Sequence, residues 1–149
     1  MSLATLLETQ RNGLQRLSAL LEEECEALAA GQIDGELLQR LAADKQALLT
    51  QLEHSEQERR ALQTAGGYDE GDAGARQAAR EAGCLDDWDA VRTASERAAR
   101  RNELAGSMLW MRLKQNQRML DLIHTLSEKT LYDTQGRTGP RSGRLKVSA

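Results

Sequence analysis

The sequence predicts an all-α protein: an elongated up-down-up three-helix antiparallel coiled-coil bundle with a long third helix and a flexible C-terminal tail. Three observations point there. Among 149 residues there is no Phe, with only two Trp and two Tyr, so a core must come from Leu, Ala and Met, as helix–helix seams do. Leucines recur at alternating spacings of four and three, the period of one helix face. The single proline, Pro140, lies near the end, so nothing upstream interrupts a long helix.

The first helix is expected over about residues 3–30. Leu3, Leu7, Leu14, Leu17, Leu21 and Leu28 share one seam, with Gln10 and Glu24 at its two remaining positions. Gly31 follows as the expected left-handed C-cap, and Asp34 as the N-cap of the next helix. That second helix, about 35–64, presents Leu37, Leu38, Leu41, Leu48, Leu49, Leu52 and Leu62. A connection this short makes neighbouring helices antiparallel. Residues 65–84 read as a mobile loop, beginning in TAGGYDEGDAG at 64–74, with a short helical piece, ARQAAREAG, ending near Gly83. The third helix, about 86–129, keeps heptad spacing from Trp88 and Val91 through Asn102, Leu109 and Asn116 to Ile123 and Leu126. At 1.5 Å per residue it reaches about 65 Å, beyond a hairpin of about 45 Å. The expected organisation is a helical coiled-coil domain, 1–130, and a basic tail, 131–149.

Charge and cysteine usage exclude several classes. Residues 133–149 carry four Lys/Arg against one Asp, leaving 16 Lys/Arg against 22 Asp/Glu upstream. An acidic body argues against nucleic acid as partner. Cys25 and Cys84 form no CxxC, the start lacks a signal-peptide pattern, and no run suits membrane insertion. A cytoplasmic protein with reduced thiols is expected. His124 has Asp121 one turn before it and His54 has Glu58 one turn after, but a di-iron bundle needs two Glu-x-x-His motifs and two further carboxylates. No phosphate loop, nucleophile elbow or EF-hand periodicity appears. No catalysis, metal or cofactor is expected.

Three features instead suggest binding. Asn102 and Asn116 occupy equivalent heptad positions fourteen residues apart; such an Asn fixes register when buried in a seam, or contacts a guest helix, and both readings stay open. In SMLWMRL, Met108, Leu109, Trp110 and Met111 circle the helix axis, so some of this apolar surface faces away from the hairpin unless the helix is buried on two sides. In the tail, Gly136, Gly139, Pro140 and Gly143 oppose helix. Leu131, Tyr132, Leu145 and Val147 are nonetheless more apolar than a passive terminus needs, and Arg144 sits among them. A segment that orders on binding looks like this.

These residues carry a resemblance. LLEEECEAL followed by GQIDGELL, then DKQALLTQLEHSEQERR, the two asparagines of RNELAGSMLWMRLKQN, and the ending TLYDTQGRTG…RLKVSA together resemble the FlgN family of flagellar export chaperones along most of the chain. The loop 65–84 departs from that likeness. The resemblance implies a cytoplasmic, non-enzymatic chaperone that holds terminal helices of hook-associated, hook–filament junction proteins, prevents their premature assembly and helps deliver them to the flagellar export gate. Carried over by position, Leu131 and Tyr132 fall in a gate-docking or client-binding stretch, and Asn102 and Asn116 on the long helix. A weak homodimer is also allowed. The alternative is a self-associating structural coiled-coil protein.

Overall fold

A computed structural model gives four helices, and among the described residues no strand: α1 (Leu3–Ala29), α2 (Gly35–Ala65), α3 (Asp72–Glu81) and α4 (Leu85–Ser148). The structure describes residues 1–148, and side chains over 1–130. The third helix does not stop near residue 129: α4 continues to Ser148, so the stretch expected as a flexible tail, 131–149, is helical as far as 148, and only its side chains fall outside those described. Two compact units are present, Met1–Met108 and a second from Leu109 onward, and each is taken separately.

The first unit begins where Ser2 caps α1, its hydroxyl accepting from the Thr5 N–H at 3.2 Å. The seam leucines face inward as their spacing requires: Leu7 and Leu21 are fully buried, and Leu17 and Leu28 nearly so. Burying each such side chain stabilises by about 1.5–3 kcal/mol. The helix does not end as expected. Ala30 turns to an extended conformation, with ψ 146, and Gly31 is not among the glycines with positive φ. The chain leaves α1 through an extended residue, so no left-handed cap is required. Asp34 does cap α2, accepting from the Leu37 N–H at 3.1 Å.

Gln10 Nε2 donates to Glu56 at 3.0 Å, and Lys45 pairs with Glu24 at 3.0 Å. Rising numbers on α1 thus meet falling numbers on α2, and the two helices run antiparallel. Residues 85–108 of α4 run alongside α1 in its own direction. Leu7 clusters with Trp88 and Val91, Leu17 and Leu21 with Ala98 and Ala105, and Glu22 pairs with Arg101 at 2.6 Å.

The α2 face differs from its leucine pattern. Leu41 and Leu48 are buried, but Leu49 and Leu62 are each 40% exposed, and the inward positions of the last turns are Ser55, Arg59 and Gln63. A buried cation needs partners, and Arg59 has them. Its Nε and Nη2 donate to the two Glu56 oxygens at 2.8 and 2.7 Å, its Nη1 donates to Gln63 at 2.8 Å, and its guanidinium lies 4.7 Å from the Trp88 ring centre. Burial pushes the Glu56 carboxyl up, but hydrogen bonds from Arg59, Gln10 and Arg60 outweigh it and hold the pKa at about 2. A depressed carboxylate stabilises above its ordinary value of 4.5, and that contribution disappears as pH falls towards about 2. Urea midpoints should therefore decline across that window, and Glu56→Gln should flatten the decline.

The segment expected as a mobile loop contains α3, in line with the helical piece read in ARQAAREAG. Asp72 in its first turn and Arg80 in its last suit the helix dipole. Its buried residues are Gly74, Ala75, Ala78 and Ala79, so it packs closely with little apolar bulk. A Cβ on Gly74 would stand 1.8 Å from the Asp69 carbonyl oxygen, which makes glycine a requirement of the fold there. Gln63 Nε2 donates to the Asp69 and Gly71 carbonyls. Arg76–Asp89 at 2.7 Å and Arg92–Asp72 at 3.2 Å complete the attachment.

Candidate functional site

The second unit presents an exposed apolar helix surface. Leu109, Trp110, Met111, Leu113, Met119, Leu120, Leu122, Ile123 and Leu126 are between 41% and 63% exposed. Nine large apolar side chains within eighteen residues exceed the scattered singles a soluble surface normally shows. At about 100° per residue, six of them (Leu109, Leu113, Met119, Leu120, Ile123 and Leu126) fall within one arc of roughly 140°, an apolar stripe along one face of the helix. Asn116 lies near the middle of that arc and is exposed. Arg112, half-buried, shares it. Trp110, Met111 and Leu122 lie outside it, so the SMLWMRL run serves more than one face. The Trp110 ring carries Lys114 Nζ 4.6 Å from its centre, an exposed cation–π contact that shields part of the indole. Gln117 and Asp121 hydrogen-bond at 2.9 Å on the polar side.

The expected site residues are thus separated. Met108, half-buried, and Asn102, exposed, belong to the first unit. Neither Asn102 nor Asn116 is buried in a seam of its own chain. Trp110, Met111 and Asn116 are exposed in the second unit, while the side chains of Leu131, Tyr132, Arg144, Leu145 and Val147 are outside those described. Leu113 and Leu120 were not singled out from sequence, although their spacing of seven was visible; Met119, Ile123 and Leu126 were assigned to a heptad seam whose partner the pattern does not name.

Groups for chemistry are not assembled. Among the described residues no three His, Cys, Asp or Glu gather to hold a metal, and His54 lies on the surface 3.1 Å from Glu58. Burial pushes both thiols up, with Glu24 adding at Cys25 and Asp87 at Cys84, the opposite of an activated nucleophile. No helix over the described residues is long and apolar enough to cross a membrane.

Fold and surface together define an all-helical protein with an exposed amphipathic helix face over residues 109–126. The chain belongs to the FlgN family, whose model, described as FlgN protein, matches residues 1–140. It is similar to the flagella synthesis protein FlgN of Salmonella typhimurium, 29% identical over 147 residues that cover 98% of this chain and 97% of the relative. It is also similar to the flagella synthesis protein FlgN of Escherichia coli K12, 27% identical over 148 residues with the same coverage. No solved structure matches. Membership places the chain among flagella synthesis proteins rather than enzymes.

Proposed function

We propose that this FlgN-family chain is a cytoplasmic chaperone of flagellar type III export, holding the terminal helices of hook-associated junction proteins until the export gate takes them. The observation that carries this reading is the exposed apolar arc from Leu109 to Leu126. An amphipathic client helix laid along that arc would shield its own stripe and this one together, each Å² removed from water contributing roughly 25 cal/mol. Asn116 in the arc, with Trp110 and Met111 beside it, would set register and supply adaptable contact. The first unit serves as the rigid body, an up-down-up arrangement of α1, α2 and the start of α4 supported by the Gln10–Glu56, Glu24–Lys45 and Glu22–Arg101 pairs.

The tail is assigned to delivery or capture, through Leu131, Tyr132, Arg144, Leu145 and Val147. Removing residues 131–149 should leave helix content per residue unchanged and abolish binding to client or gate. Calorimetry with both partners decides this, and full-strength binding of both by the shortened chain would overturn the assignment. A self-associating coiled coil is the second reading, favoured by Asn116 at a seam position. Sedimentation showing dimers that do not yield to client would select it.

A further inference from the structure

We propose that the first unit carries a second helix-binding site: a groove for an amphipathic helix with basic flanks, contributed by a partner protein. It goes beyond the reading given for residues 109–126 and stands independently of it. The groove has a volume of about 740 Å³. Its origin is a mismatch of side-chain size. Leu49 and Leu52 of α2 and the small Ser95 and Ala98 of α4 are among the residues that line it, and small residues beside leucines leave a trough that this unit does not fill. Leu49 is consequently 40% exposed.

One further observation says what fits. The lips add a sign. Lys45 is committed to Glu24, Arg92 to Asp72 and Glu56 to Arg59, whereas Glu53 and Glu96 line the groove, exposed and without an ion pair among the described residues. The uncommitted charge is negative, so the complementary helix carries lysine or arginine beside its stripe.

The test uses the full chain and two synthetic helical peptides of roughly 18 residues, about 27 Å long. Each has a leucine stripe; one is flanked by lysines, the other by glutamates. The lysine peptide should bind about tenfold more tightly or better, since each lip charge contributes up to about 1 kcal/mol. Ser95→Trp, which fills the trough from an exposed position, should weaken that binding about tenfold or more. Glu53→Lys with Glu96→Lys should reverse the preference, and it does not depend on tolerating a bulky residue. Leu120→Glu should change nothing. The proposal is overturned by equal affinity for the two peptides, by no binding of either, or by a preference that the double lysine variant fails to reverse. Binding that Leu120→Glu removes would place the peptide on residues 109–126 and also overturn it. If sedimentation shows that Ser95→Trp breaks a dimer and leaves peptide binding unchanged, the groove belongs to a second copy and the proposal fails.

Discussion

Leu120→Glu combined with Ile123→Glu should lower affinity for a junction-protein helix by about a hundredfold or more and leave thermal unfolding unchanged. The two expectations separate because of exposure. Leu120 and Ile123 are 51% and 52% exposed in the chain alone, so introducing carboxylates there disturbs little, within about 0.5 kcal/mol. In the proposed complex the same positions would lie inside an apolar seam. Desolvating a carboxylate there without a partner costs at least about 1–3 kcal/mol for each group, and two of them reach the 2.7 kcal/mol or so that a hundredfold requires. Calorimetry against the client helix reads the first quantity and circular-dichroism melting the second. A drop of several kcal/mol in stability would mean that this face is already covered in the free protein.

The largest stability effect is expected at Arg59. Arg59→Ala removes the two hydrogen bonds to Glu56, the hold on Gln63 and the stacking over Trp88 in one step. Breaking a fully buried pair costs about 3–5 kcal/mol. The Glu56 side chain keeps 36% of its surface in water, so solvent recovers part of its hydration, and about 2–3 kcal/mol is expected. Urea unfolding should show a lower midpoint with an unchanged slope. Gln63, freed from Arg59, also loses its fixed position against the Asp69 and Gly71 carbonyls, so protease should cut between Gly66 and Asp72 sooner than in the parent chain. Glu56→Ala alone should cost less, and the double variant little more than Arg59→Ala, since both act on one pair.

How far these features could be read from sequence depended on how local they are. The α1 seam was legible because Leu7, Leu17, Leu21 and Leu28 keep one phase, and all four are buried. Asp34 was legible because a cap acts three residues away. Arg59 was not. Its burial depends on Glu56 nearby but also on Gln10 and Trp88, which come from other helices. Leucines drew attention to Leu49 and Leu62, while the inward positions were polar. Gly74 was invisible for a similar reason, because its need for glycine comes from a carbonyl that the fold brings against it.

The heptads of α4 illustrate a different limit. Trp88, Val91, Ala98 and Ala105 are buried, yet the same period continues through Leu109, Met119, Ile123 and Leu126 with those side chains exposed. Periodicity reports that a face is apolar; it does not report whose helix covers it. That surplus was anticipated at Trp110 and Met111, which are exposed. The broader arc through Leu113 and Leu120 emerged only from burial.

Deuterium exchange on the full chain, with and without the C-terminal helix of a hook-associated protein, tests the central claim most directly. A client helix held on the exposed arc should slow amide exchange across residues 109–126 while α1 and α2 keep their rates. Unchanged exchange over 109–126 in a sample shown to be saturated with client would contradict the account.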